Sequence, residues 1–560
     1  MSTRVTLIHI GDIHGHLIGR MHMRADEGQG RHLGGLARMY TRIAEIRARS
    51  ENSLLINTGD TIQGSAEALF TRGGALVDVL NHFAIDYFAP GNWDFVYGTE
   101  RFIELFAASQ PLANWHALAA NLYFDGEPYA EKAGQHVLPP YAIREIAGLR
   151  LGILGFTTDR GPNALGKHPT RGFRMSGGED ELREFIPLLR ERERVDAIIM
   201  ISELGLANNS RLTQMHSGID VVLSSDMHEL TRRPVELDNG TLLVEEGQDG
   251  TVIGEIELEF VDGRLVAKRF TSHTIDDSIA PDAEIAARVD AIRREYISGP
   301  HFRIHVNPIN GTKLERPLDS VVGRTAIPLF RANFSDDALP GVIEGSSHNF
   351  LSDAFRAMAD SDIGAIRGFR YGTQLPPGPI TLDDLYHFIP IAPLIAVGEV
   401  KGEAVHKQLE KAAHGCLSPT LTDWTGGWMF GYSGLSCALD PYRENGQRIS
   451  DVNVIDNDGQ RSALQPDKSY SYASYYYRHE PEEINGLKAQ QIRVLTDDAG
   501  EPIDGTEVVV RYLARLPDQT ANPTGPRIRL VRALPKPIFN NPEIQPLRGC
   551  PPRPIEPEQE

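Results

Sequence analysis

Through the first half of the chain, short apolar runs each close on a small loop carrying polar residues, and a stretch with helix-like spacing follows. The runs are residues 5–10, 53–57, 85–89, 151–156, 197–201 and 221–223. Runs of this length bounded by turn signals predict strands buried on both faces in a layered α/β domain. Between them, 34–49 and 179–193 carry apolar residues at helical spacing and predict helices. The pattern weakens over 272–281, and 282–297 reads as a charged amphipathic helix able to join two domains. In the second domain, 346–358 reads as a helix with Ser347 placed to cap it, and the remainder mixes strands with loops rich in glycine and aromatics. Residues 535–560 are proline-rich and end acidic, the composition of a poorly ordered tail. The predicted division is 1–275 for the first domain, 276–313 for a linker helix and connection, 314–534 for the second domain and 535–560 for the tail.

Length agrees with that division, because 560 residues exceed what one core organises. With 41% hydrophobic and 24% charged residues the composition is that of an ordinary globular protein. The formal net charge of -20 opposes binding to a nucleic-acid polymer, which depends on lysine and arginine displacing counterions. A small anionic substrate requires local positive charge, from metals or arginines, to outweigh that background. Cys416, Cys437 and Cys550 are too few and too scattered for a disulfide framework or a cysteine-rich zinc site. The first residues run straight into a predicted strand, with no room for a signal peptide, and no stretch is apolar enough to span a bilayer. The expected location is cytoplasmic for the chain as written, or periplasmic if the true start lies upstream.

The polar residues that end the predicted strands are the informative ones. Asp12 and His14 follow the first, Asp60 the second and Asn92 the third; Glu203, then Asp226 and His228, follow later ones. One such residue is ordinarily a turn former or a helix cap. Five of the six strand ends, each with a ligand-capable side chain, point instead to a shared site, since strand C-termini in a layered α/β fold converge on one edge. Carboxylates, an amide oxygen and imidazoles suit hard or borderline divalent metals.

Gly11-Asp12-Ile13-His14-Gly15, Gly59-Asp60-Thr61-Ile62-Gln63-Gly64, Gly91-Asn92-Trp93-Asp94-Phe95 and Asp226-Met227-His228 resemble, in order, the metallophosphoesterase motifs of the 5'-nucleotidase family. Gly34-Gly35-Leu36-Ala37-Arg38 and Ala120-Asn121-Leu122 are also similar. Ser346-Ser347-His348-Asn349-Phe350, with Asp353 and Arg356, and the stretch 368–385 resemble that family's C-terminal domain. The resemblance implies a four-layer α/β/β/α metallophosphoesterase domain followed by an α+β substrate-binding domain, with chemistry in the cleft between them. Residues 59–74, the tryptophan of 92–98 and the run 368–373 resemble the sulfur-oxidation thiosulfohydrolase branch in particular.

By this resemblance, Asp12, His14 and His228 hold one metal, Asp60 bridges and Asn92 belongs to a second. Asp60, Asn92 and Asp94 form the catalytic set. Two ions about 4 Å apart clamp the oxygens of an in-line displacement and ready a water near neutral pH. The chain departs from the family at Glu203 and Asp226, where histidines are usual. Either the second site has decayed, or it is replaced by an oxygen shell of Asp60, Asn92, Glu203 and Asp226 that prefers hard cations. Manganese is the expected metal, with magnesium, iron and zinc as alternatives, and a carboxylate-rich shell implies slower hydrolysis or a higher pH optimum. Trp93 stands at the position of the family's catalytic histidine and cannot shuttle a proton at neutral pH. His16 and His32 are substitutes by proximity in sequence.

Arg370 matches a substrate-contacting arginine, and Trp428 and Phe430 lie where the family places a base-stacking ring. Ala365 and Arg367 depart from the asparagine and glycine usual just upstream of that arginine. The implied activity is hydrolysis of nucleotide-like phosphomonoesters. The alternatives are a thiosulfohydrolase-like enzyme acting on a sulfonated carrier protein and a non-catalytic binding member of the fold.

Overall fold

The computed structural model describes residues 2–23, 30–330, 343–367, 374–418 and 429–533. These form two compact units: residues 2–20 with 32–293, and residues 21–23, 30–31 and the described part of 294–533.

The first unit is built on two six-stranded sheets. One runs Arg264–Thr274, Val252–Val261, Ser2–Ile10, Ser53–Asn57, Tyr87–Phe88, His116–Ala117. The other runs Val235–Glu236, Leu242–Glu245, Val221–Ser224, Ala197–Ser202, Leu149–Phe156, Tyr141–Ile146. Alternation along Ser2–Ile10 and Ser53–Asn57 sends apolar residues to both faces of the first sheet. Val5 and Leu7, with Leu54 and Ile56, join Ile153, Ile199 and Val221 in a core between the sheets. Ile8, Ile10 and Leu55 face the other way, onto Leu36, Met39, Ile43 and Ile46 of the helix Leu36–Arg49. Truncating a fully buried side chain such as Leu55 to alanine costs about 2–5 kcal/mol. The same outer core takes Ile285 and Val289 of Ala283–Arg293, which therefore packs as an outer-layer helix of the first unit. On the second sheet, Leu206–Met215 lies against Val221–Ser224 and Leu242–Glu245. The architecture is α/β/β/α.

What places the site is strand direction. Ser2–Ile10, Ser53–Asn57, Tyr87–Phe88 and His116–Ala117 run parallel, as do Leu149–Phe156, Ala197–Ser202, Val221–Ser224 and Leu242–Glu245 in the second sheet. Within each sheet the parallel strands release their C-terminal loops along one edge. The hairpin Val252–Val261 and Arg264–Thr274 adds antiparallel strands beside Ser2–Ile10. The helix expected over 179–193 is α-helical over Glu179–Pro187, with acids in its first turn, and continues as a π turn over Leu188–Arg192 after Pro187.

In the second unit a five-stranded sheet runs Gly431–Ser433, Ile363–Ile366, Ser469–Tyr476, Leu394–Lys401, Gln490–Val494. A four-stranded sheet holds Arg461–Ala463, Ile449–Ile455, Leu435–Leu439 and Ile528–Leu530. The helix Ser346–Ala359 starts at Gly345, and Ser347 is not its cap: its hydroxyl donates to the Phe330 carbonyl at 2.6 Å. Both oxygens of Asp353 accept from Arg527 Nη2 (2.8 and 2.7 Å), and Arg356 donates to the Ile455 carbonyl (2.6 Å), so both residues brace the fold.

Candidate metal centre

The loops after Ser2–Ile10 and Ser53–Asn57 are laced together by their backbones. The Asp12 N–H donates to the Gly59 carbonyl (3.0 Å), His14 N–H to that of Asp60 (2.9 Å) and Gly15 N–H to that of Thr61 (3.1 Å). Only glycine fits at position 64, where a Cβ would lie 1.8 Å from the His14 carbonyl oxygen. Asp12, His14 and Asp60 have φ of 46°, 45° and 46°, and Asp226 and His228 have φ of 91° and 58°. Left-handed backbone costs a side-chain-bearing residue on the order of 1 kcal/mol, and clusters of it mark functional sites. Here it turns the side chains inward from the strand tips.

Those side chains meet. The Nε2 atoms of His14 and His228 face each other at 2.8 Å. Asp12 Oδ1 stands 3.6 Å from the first and 3.4 Å from the second, and Asp60 Oδ2 is 3.6 Å from His14 Nε2. One ligand-capable atom from each of the four lies within 4.8 Å of the others, and all four residues are buried. Burial, opposed by Asp12 and aided by His228, pushes the His14 pKa down to about 3, which keeps the imidazole in its ligating neutral form. Burial and the carboxylates of Asp12 and Asp94 hold Asp60 well above the usual range. Imidazole nitrogens and carboxylates gathered at one dry point make a donor set that one divalent ion of hard or borderline character fits.

The other predicted ligands behave differently. Asn92 is buried, and its Oδ1 has no hydrogen-bond donor among the described residues. Neither oxygen of Glu203 has one either; the nearby Ser225 hydroxyl donates to the Thr58 carbonyl at 2.5 Å. A Cβ on Gly91 would lie 2.2 Å from Asp60 Oδ1 and 2.6 Å from Glu203 Oε1, so glycine leaves room for both carboxylates. Burial, then Asp60, Asp12 and Asp94, push Glu203 well above the carboxylate range. Asp226 donates its N–H to Asp12 Oδ2 (3.1 Å), but its carboxylate forms an ion pair with the guanidinium of Arg160. Sequence reasoning missed Arg160, three residues beyond the first loop position after Leu149–Phe156, because an arginine has no ligand character.

Asp94, expected in the catalytic set, is committed to the backbone. Its Oδ1 accepts from Thr61 N–H (3.0 Å) and Ile62 N–H (3.1 Å), and its Oδ2 from Gly91 N–H (2.8 Å). It is a positioning residue that ties the Asp60 loop to the Asn92 loop. Burial raises its pKa to about 6 against those donors. The Trp93 backbone N–H donates to Asp60 Oδ1 at 2.7 Å. His16 spends Nδ1–H on the carbonyls of Ile13 and His14 (3.0 and 2.9 Å), and His32 stands beside Asp277 and Arg38. Arg370 and Trp428 lie outside the described residues. Phe430 is half-buried against the core of the second unit, and the following Tyr432 is buried with its hydroxyl 3.1 Å from Gln408 Oε1.

Residues 5–230 match the calcineurin-like phosphoesterases, and residues 321–483 match the 5'-nucleotidase C-terminal domain. The chain belongs to the calcineurin-like phosphoesterases, hydrolases of ester bonds, in the two-domain form that carries a 5'-nucleotidase C-terminal domain. It is similar to a probable 5'-nucleotidase of Treponema pallidum (strain Nichols), 25% identical over 505 residues that cover 81% of this chain and 82% of that protein. Among solved structures it is similar to the sulfate thiohydrolase SoxB of Thermus thermophilus, with a TM-score of 0.76 and 20% identity, covering 94% of this chain and 96% of the other. It is similar also to a 5'-nucleotidase precursor from Thermus thermophilus, with a TM-score of 0.75 and 21% identity, covering 94% and 99%. These two likenesses establish the fold. No helix among the described residues is long and apolar enough to cross a membrane.

Proposed function

We propose that the chain hydrolyses phosphomonoesters of nucleotide-like compounds, using a divalent metal, manganese by preference, held by Asp12, His14, Asp60 and His228. The observation that carries this reading is the convergence of two imidazole nitrogens and two carboxylates on one buried point. A divalent ion there supplies Lewis acidity and readies a water for attack near neutral pH. The chain's own residues set the geometry. Asp94 ties the Asp60 loop, through the N–H groups of Thr61 and Ile62, to the Asn92 loop, through that of Gly91, and the Trp93 N–H holds one oxygen of Asp60. Trp93 brings no proton-transferring group, so turnover should depend steeply on the leaving group, with aryl phosphates faster than alkyl ones. The probable 5'-nucleotidase among its relatives supports nucleoside monophosphates as the substrate class.

The test is a panel of nucleoside monophosphates, aryl phosphates and a thiosulfonate, offered to metal-stripped protein reloaded in turn with manganese, magnesium, iron or zinc. Hydrolysis of phosphomonoesters that returns with one of these metals is expected. Turnover of the thiosulfonate alone, or of nothing under any metal, would reject the reading.

A further inference from the structure

The residues around Asp226 do not fit a second metal ion, because a cation is already there. We propose that the guanidinium of Arg160 occupies the second cation's place, so that the centre takes a single divalent ion and carries its other positive charge covalently. This rests on the reading of Asp12, His14, Asp60 and His228 as a metal centre.

The geometry is specific. Arg160 reaches from the loop after Leu149–Phe156 to pair with the Asp226 carboxylate, while the same Nη2 lies 3.1 Å from Met227 Sδ. Its side chain is only 14% exposed, and Gly205 packs close to the same carboxylate oxygen, where a Cβ would lie 3.3 Å from Asp226 Oδ2. Asp226 also touches the first-ion cluster through its N–H to Asp12 Oδ2. Burial disfavours the Arg160 charge, and the carboxylates of Asp159, Glu203 and Asp60 favour it. The last two stand together against Gly91.

A buried carboxylate with no hydrogen-bond donor, such as Glu203, is retained where a positive charge lies near it. A divalent ion bound by Asp226 would compete with the guanidinium for the same oxygen and would be repelled by it. The arginine at 160 thus offsets part of the negative charge that the acids at 203 and 226 bring to this edge. Histidines at those two positions would have taken two of the anionic groups away from a buried guanidinium. A guanidinium exchanges no ligands and activates no water, but it presents N–H donors in a fixed plane to an anionic oxygen. The centre keeps a second cation's electrostatic contribution and gives up its coordination chemistry.

The experiment is to strip the full-length protein with chelator, reload it with manganese, desalt it, and measure metal per chain by mass spectrometry together with the electron paramagnetic resonance spectrum. The wild type is expected to hold one ion and to give the six-line signal of an isolated manganese. Arg160→Met is expected to take up two ions and to show the exchange coupling of a pair about 3.5–4 Å apart. Two ions or a coupled spectrum in the wild type overturn the proposal, and so does a folded Arg160→Met that stays at one. Should that variant fail to fold, the wild-type count and spectrum decide alone. No bound ion in the wild type would instead overturn the metal-centre reading itself, a result distinct from finding two.

Discussion

Two adjoining groups at one edge of the first unit meet the problem of buried charge in opposite ways. Around Asp12, His14, Asp60 and His228 the donors face one another and call for a cation from solution. Around Asp226 the acid faces an arginine from a neighbouring loop. Both groups are acids at strand tips on left-handed backbone, and in sequence they look alike. Acids at strand tips are thus sorted by what the fold sets closest to them: imidazole nitrogens at Asp12 and Asp60, a guanidinium at Asp226.

The difference predicts that removing an acid from the first group costs activity, and from the second costs stability. The largest effect belongs to Asp60→Ala, which should lower kcat/KM on a phosphomonoester at least about 10³-fold while the protein remains folded. Survival of turnover in that variant would break the contrast. Next, Asp226→Asn leaves the buried guanidinium without its charged partner and should lower unfolding free energy by about 3 kcal/mol, read by urea denaturation, with the metal count unchanged. Asp94→Asn forfeits an acceptor for one backbone N–H and weakens the others, an expected loss of about 2 kcal/mol. Its activity loss should be smaller than that of Asp60→Ala, since Asp94 acts through the Asp60 loop. The smallest effect is Glu203→Gln, which removes one negative charge near Arg160 while Asp226 keeps its ion pair, and should leave metal per chain unchanged with a smaller loss of stability than Asp226→Asn. Loss of an ion on that substitution would show Glu203 to be a ligand.

Much of the α/β/β/α layering was legible, because strands such as Ser2–Ile10 and Ala197–Ser202 are apolar on both faces and no half-exposed element mimics that pattern. The hairpin Val252–Thr274 was not, since its alternation is that of strands with one wet face and it follows the last strand-tip motif. Residues 282–297 read as a charged helix, but nothing in their spacing told that Ala283–Arg293 would pack on Leu36–Arg49. Within the centre, Asp12, His14, Asp60 and His228 could be listed together because ligand chemistry is visible in residue type. Arg160 could not. Its significance depends on the sheet order that sets Leu149–Phe156 beside Ala197–Ser202, and that one beside Val221–Ser224, bringing three tips into register. The one available signal was an arginine at the only tip of that trio without an acid or histidine assigned to it.

The backbone angles at Asp12, His14, Asp60, Asp226 and His228 carry a consequence for how this molecule can change over time. Each of these positions would be more comfortable with no side chain at all. A lineage selected for heat tolerance alone, with no demand for turnover, would therefore shed these residues early and become hardier as it became inert. Hardiness and the centre therefore pull against each other at the same five positions.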